Sequence, residues 1–381
     1  MTQPLSIMMV AGEPSGDMHA ARVITALRQR QDALTVFGVG GDRMKAEGFD
    51  CLFHTRQTSV MGFSTVFRRA GFFKRMYDRC AVELRRRRPA VLILVDYPGF
   101  NLRFARVARQ ENVPVLYYIA PQVWAWGRNR VRHMKGLVDT MAVVFPFEVE
   151  LFQSVGIRTV FVGHPLLETL SRVGRSMFLQ QHDLPDGKLL ALFPGSRVQE
   201  IDRILPVMLR AAEIASSRTG CHPIIGATEL PDEVYRPHLK NRQGVRILRN
   251  ATHGLMQHAH AAIVASGTAT LETAYYGTPM VVVYKTSFLN YHIARHLVRV
   301  RHIALANILA GEEVVPELIQ HAATGSTVAR SVCRYFEDPE FRDATCERLL
   351  AVRKAMGEPG ASGRVAELAL TLARSGKSTE A

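Results

Sequence analysis

Short apolar runs alternate with helical patterns along the whole chain. In the first half the runs are residues 7–10, 35–39, 91–95, 115–119, 141–145 and 159–162. In the second half they are residues 189–193, 223–225, 245–248, 262–264, 280–284 and 302–306. Continuous Val/Ile/Leu runs of this length suit strands buried on both faces, as in parallel sheets with crossover helices. Two such sets predict an α/β chain with two doubly wound domains. Gly163-His164-Pro165 ends the first set, and the polar stretch up to Gly187 is expected to hold the hinge. After Pro316 the pattern predicts helices only, ending in a polar tail from Ser375.

Composition narrows the picture. A chain of 381 residues exceeds one typical domain, and 47% apolar content is ample for two cores. A net charge of +14 calls for an anionic partner: nucleic acid, acidic membrane or phosphorylated substrate. Cys51, Cys80, Cys221, Cys333 and Cys346 are scattered and lack CxxC spacing, which fits a reducing compartment and argues against disulfides or a zinc site. The N-terminus has no basic region followed by an apolar core, so no signal peptide is read, and no run of 18 apolar residues exists to span a bilayer.

The most informative stretch is Ala265-Ser266-Gly267-Thr268-Ala269-Thr270-Leu271-Glu272. A strand that ends in small and hydroxylated residues and then feeds a helix makes an anion site, because first-turn amides lack helical partners and the dipole there is positive. Ser266, Thr268 and Thr270 add hydroxyls, and Gly267 lets the backbone approach closely. Upstream, the run at 189–193 enters Pro194-Gly195-Ser196-Arg197 and another helical pattern. Two such loops point to a nucleoside diphosphate, although each alone reads equally as an ordinary capped turn. Arg197 can pair bidentately with phosphate. Glu272 is spaced to accept from ribose hydroxyls, with a surface capping glutamate as the competing reading. Asn307 ends a run and serves either a ligand or its own loop.

In open parallel sheets, ligands sit beyond the carboxyl ends of the strands. Asp96 terminates the run 91–95 before Tyr97-Pro98-Gly99, where it is placed as a general base or as a helix cap. Gly12-Glu13-Pro14-Ser15-Gly16-Asp17 follows the first run and brings two carboxylates to the same edge, without the GxGxxG spacing. There is no DxD for a metal–diphosphate site and no GxxxxGK[ST] loop, and His253, His258 and His260 lack zinc spacing. The segment 66–77 interleaves Phe67, Phe72, Phe73 and Met76 with cations, the composition of a helix lying on an anionic membrane; a core-packed helix with solvated arginines is the alternative. No nucleic-acid-binding module is recognisable. Both tryptophans, Trp124 and Trp126, follow a strand end, either lining a ligand site or packing under a loop.

Taken in order, these residues closely resemble the lipid-A-disaccharide synthases, a glycosyltransferase family of Gram-negative bacteria. The matching stretches are AGEPSGD (11–17), GVGGDRM (38–44), SVMG (59–62), DYPGFN (96–101), PQVWAW (121–126), FPFE (145–148), VGHP (162–165), PGSR (194–197), ASGTATLE (265–272), PMVVVYK (279–285), and NILAG with VVPEL (307–318). The resemblance implies a GT-B architecture of two Rossmann-like domains. Residues 1–165 would form the acceptor-side domain, 166–345 the UDP-sugar domain, and 346–381 helices crossing back to the first. It implies an inverting, metal-independent transfer from UDP-2,3-diacylglucosamine to 2,3-diacylglucosamine 1-phosphate, giving the β-1,6 disaccharide 1-phosphate and UDP, with no cofactor. By the same resemblance Asp96 is the proposed base, Glu13 is a second catalytic residue, and Glu13, Arg197, Glu272 and Asn307 line the active cleft or nucleotide site. It places the enzyme in the cytoplasm, on the inner face of the inner membrane, and suggests homodimers. Two departures stand out: Gly99 replaces an acid common in the family, and Ala20 stands where the family has Gly. A UDP-sugar 2-epimerase of the same architecture and a non-catalytic basic lipid- or nucleic-acid-binding protein are the rival readings.

Overall fold

The computed structural model describes residues 4–58, 70–240, 242, 244–287, 291 and 300–377. Among the described residues the chain builds two all-parallel sheets. The first has the order β3-β2-β1-β4-β5-β6-β7, from Leu5–Ala11 (β1), Leu34–Gly40 (β2), Asp50–His54 (β3), Val91–Val95 (β4), Val115–Tyr118 (β5), Thr140–Val143 (β6) and Arg158–Phe161 (β7). The second has the order β10-β9-β8-β11-β12-β13, from Leu189–Phe193 (β8), His222–Ala227 (β9), Arg246–Arg249 (β10), Ala261–Ala265 (β11), Met280–Tyr284 (β12) and Glu317–Ile319 (β13). The chain divides into two compact units, Met1–Glu168 with Gly357–Ala381, and Thr169–Met356.

Within the first unit, β4 is apolar and buried at every position, so helices must cover both faces of the sheet. The helix Pro14–Arg28 starts with proline in its first turn, where a missing N–H costs nothing, and buries Ala20, Val23, Ile24 and Leu27 at helical spacing. The last helix, Ala361–Lys377, belongs to this unit and packs against Pro14–Arg28. Glu168 caps its start, accepting from the Ser362 N–H at 2.8 Å and hydroxyl at 2.6 Å, and Arg364 Nε donates to the Val162 carbonyl at 2.8 Å. In the second unit the helix Val198–Thr219 packs against Gly325–Glu337, which Thr324 begins with a capping box.

The structure differs from the sequence expectation in three elements. The run 302–306 is not a strand: Leu305–Ala310 is a helix, closed by Gly311 at φ 73°. The outer strand of the second sheet is instead β13, beyond Pro316, where only helices were expected. It is three residues long and half-buried throughout. The other addition, β3, is an edge strand with exposed Asp50 at its start. Both lie at sheet edges, where solvent on one side removes the continuous apolar signature.

Candidate active site

Each sheet reverses strand order once, and both candidate loops of each sheet stand at that reversal. In the first sheet β1 and β4 are neighbours, with Ala11 opposite Val95, so Gly12-Glu13 and Asp96 leave adjacent strand ends. In the second, β8 and β11 are neighbours, with Phe193 opposite Val264, which puts Pro194–Arg197 beside Ser266–Thr270. The gap at such a reversal is where open α/β sheets bind ligands.

In the first unit, Asp96 and Tyr97 both take left-handed backbone angles, φ 46° and 49°, before Pro98 starts the helix Pro98–Gln110. Burial pushes the Asp96 carboxyl up to about 6; the negative charge of Glu13 adds to this, and the Tyr97 N–H opposes it. Glu13 itself is exposed and occupies the N-cap of Pro14–Arg28 without making a side-chain capping bond. The tight approach of the two loops depends on Gly12, since a Cβ there would lie 2.3 Å from the Tyr97 ring. Asp17 has a different task. It is buried and accepts from the backbone N–H groups of Gly41 (2.6 Å), Arg43 (3.1 Å) and Met44 (3.1 Å), holding the start of the helix Asp42–Ala46.

In the second unit, Arg197 is the N-cap residue of Val198–Thr219 and its side chain is 60% exposed. Its guanidinium donates to Glu200 at 3.0 Å, and the Ser196 N–H donates to the same carboxylate at 3.2 Å. The loop donors are therefore already aimed at an anion, supplied by the chain itself. Gly195, at φ 108°, turns the backbone to do this. Thr268 is exposed at the first position of the helix Thr268–Tyr276, preceded by Gly267 as N-cap. Ser266 donates its hydroxyl to the Ile303 carbonyl at 3.0 Å. Burial alone raises the Glu272 carboxyl to about 7.

Two expected ligand residues have their side chains engaged within their own loops. Thr270 is fully buried and donates its hydroxyl to the Gly267 carbonyl at 2.8 Å, so it fixes the turn rather than offering a free donor. Asn307 is likewise fully buried, and its amide is committed. The nitrogen donates to the Val315 carbonyl and Glu317 Oε1, both at 2.8 Å; the oxygen accepts from Val314 at 2.9 Å and Val315 at 3.0 Å. Asn307 holds its own loop. Glu317, not singled out from sequence, completes this frame by accepting from the Ile303 and Ala304 N–H groups at 2.8 and 3.0 Å. It supports the segment that receives the Ser266 hydroxyl.

The chain matches the family model described as lipid-A-disaccharide synthetase over residues 7–356. It is 41% identical over 374 residues to the lipid-A-disaccharide synthase of Syntrophus aciditrophicus, covering 96% of this chain and 97% of that protein. The chain belongs to the lipid-A-disaccharide synthase family. A second such synthase, from Geobacter metallireducens, is 40% identical over 371 residues, covering 96% of this chain and 97% of the relative. Among solved structures, the calicheamicin glycosyltransferase CalG4 superposes with a TM-score of 0.60 at 17% identity, covering 98% of both chains. The UDP-GlcNAc 2-epimerase of Neisseria meningitidis bound to UDP-GlcNAc gives 0.59 at 14% identity, covering 97% and 99%. These two likenesses show the GT-B fold; the epimerase reading gains nothing further from them. The synthase is a glycosyltransferase of lipid A disaccharide synthesis.

The expected membrane face of this synthase also needs correction. Met76 is fully buried in the core of the first unit with Cys80 and Leu84, because it lies on the inward face of the helix Ala70–Arg87. It cannot touch lipid. Phe72 and Phe73 are half-buried against the same core and each other, ring centroids 5.5 Å apart, and Phe67 lies outside the described residues. Several arginines of this helix are partnered: Arg79, Arg86 and Arg87 surround the buried Glu83 at 3.1, 2.6 and 2.7 Å. Trp124 is packed under its loop, donating to Glu148 Oε1 at 3.1 Å, while Glu148 Oε2 accepts from the Phe145 N–H at 3.1 Å. No described helix is long and apolar enough to cross a membrane.

Proposed function

We propose that this chain transfers the 2,3-diacylglucosaminyl group of its UDP derivative to the 6-hydroxyl of 2,3-diacylglucosamine 1-phosphate, with inversion. The observation that carries this reading is the position of Asp96 at the β1/β4 reversal, beside the loop of Glu13, where burial raises its carboxyl. A carboxylate with a value near 6 is ionised at neutral pH yet more basic than an ordinary aspartate, as a general base requires. Asp96 takes the proton of the acceptor hydroxyl as its oxygen attacks the sugar C1 and the bond to UDP breaks. Burial first, and the Glu13 charge second, keep that proton affinity high. On the second unit, Arg197, the Ser196 N–H and the first-turn amides of Thr268–Tyr276 receive the departing diphosphate. Glu272 faces the ribose. These fixed donors neutralise the leaving group without a metal ion. The enzyme works at the cytoplasmic face of the inner membrane, where its acylated substrates reside, with Phe72 and Phe73 on the lipid side and the net charge of +14 favouring anionic lipid.

The test is an assay with both lipid substrates in the presence of EDTA. Disaccharide 1-phosphate and UDP in equal amounts are expected, with no product when the acceptor is left out. Release of an epimerised UDP-sugar without acceptor, or loss of activity in EDTA, would overturn the reading.

A further inference from the structure

Asp96 and Tyr97 hold two successive left-handed conformations without a glycine between them. Such angles persist in residues with a Cβ only where the surroundings over-determine them. The surroundings here are specific. Tyr117 lies fully buried on β5, next to β4, and donates its hydroxyl to the Asp96 carbonyl at 2.6 Å. Asn101, fully buried one turn into Pro98–Gln110, donates its amide nitrogen to the same carbonyl at 2.6 Å and to the Val95 carbonyl at 3.3 Å. On the other side, the Tyr97 ring lies against Gly12, and its hydroxyl donates to the Thr58 carbonyl at 3.4 Å. Thr58 in turn donates to the Gly12 carbonyl at 2.7 Å.

A β-strand residue inside a sheet gains burial without any polar atom, and a phenylalanine would serve packing as well. Tyr117 instead spends its hydroxyl on the main chain of the acid. With both donors on one carbonyl, the peptide plane after Asp96 is fixed, and with it the direction in which the carboxylate leaves the turn. We propose that Tyr117, seconded by Asn101, is a positioning residue of the transfer reaction, setting the Asp96 carboxylate where it meets the acceptor hydroxyl. This rests on the reading of Asp96 as the base.

Four variants test it: Tyr117→Phe, Tyr118→Phe, Asn101→Ala and Asp96→Asn, each assayed for kcat and KM across pH and for melting temperature. Misplacement of a reacting group by an ångström is worth about a hundredfold in rate. Tyr117→Phe is therefore expected to lower kcat by at least tenfold with both KM values within about twofold. The acid limb of kcat should also move to lower pH, since a carboxylate released from this turn loses the burial first and the nearby Glu13 charge second that together raise its value, against the opposing Tyr97 N–H. Tyr118→Phe, at the neighbouring buried tyrosine, is expected to keep the parental kcat and limb. A merely structural role for Tyr117 would lower the melting temperature and leave the limb in place. Should Tyr117→Phe not fold, Asn101→Ala reads the same clamp, and an unchanged kcat there would overturn the proposal. If Asp96→Asn is inactive while Tyr117→Phe matches the parent, the positioning role alone falls. If Asp96→Asn turns over normally, the base assignment falls and the positioning role with it.

Discussion

Replacing Asp96 with asparagine is expected to stabilise the protein while it removes the activity. Asparagine is among the residues with a Cβ that best tolerate the left-handed region, so the turn at φ 46° survives the exchange. The carboxyl it replaces has been raised from 3.8 to about 6, by burial first and by Glu13 second. A folded value above the unfolded one means that the folded chain holds the proton more tightly. Well below both values the acid is neutral in either state and has no effect on stability. As pH rises through the folded value, the folded state must carry a poorly solvated charge, and stability is lost. At about 1.36 kcal/mol per pKa unit the interval amounts to roughly 3 kcal/mol, and residual water access reduces it to about 1–2 kcal/mol. For a domain of about 150–250 residues this is roughly 2–8 °C in melting temperature. Melts of both proteins from pH 4 to pH 8 check it. The gain from asparagine should be full above about pH 7, shrink through pH 6 and vanish near pH 4. Equal melting temperatures at pH 7.5, or a gain that ignores pH, would refute the argument.

Other expectations follow from single contacts. Arg197→Ala should weaken UDP binding by about tenfold or more, the worth of a charge-assisted pair, with little change in melting temperature because its only described partner is the neighbouring Glu200; titration calorimetry with UDP measures it. Met76→Ala should cost about 2–5 kcal/mol in denaturant unfolding and leave vesicle binding of the folded protein unchanged, as the side chain is fully buried. Asp17→Ala should destabilise by about 1–3 kcal/mol, because three backbone donors lose their acceptor; a loss below half a kcal/mol would show that water replaces it.

The parts of the fold that were legible in sequence are those with one physical cause. Val91–Val95 and Ala261–Ala265 are buried on both faces, so their apolar runs are continuous and readable. The run 302–306 misleads because a short apolar stretch entering a buried helix has the same look as a strand. The position of Asp96 at a strand end was legible because it directly follows such a run. The inward hydrogen bonds of Thr270 and Asn307 were not legible, because sequence does not tell which way a polar side chain turns. Both face inward and satisfy their own loops. Met76 went wrong for a related reason: an amphipathic helix shows its apolar stripe equally whether that stripe meets a bilayer or a core. The hydrogen bonds of Tyr117 and Glu317 were not legible, since a buried hydroxyl or carboxylate discloses its partner only in the fold.

The first unit is assembled from the two ends of the chain, with all of Thr169–Met356 between them. On the ribosome, then, the N-terminal sheet emerges early but lacks the helix Ala361–Lys377 until the codons beyond Met356 are read. Val365, Ala366 and Ala369, which that helix buries, reach their places only after Thr169–Met356 has been made, while that intervening unit is contiguous and has its whole sequence in hand sooner. A nascent chain stalled before Gly357 would expose the uncovered side of the helix Pro14–Arg28 and leave Glu168 without the Ser362 it caps. Translation order thus makes the half that bears Asp96 the last to be completed.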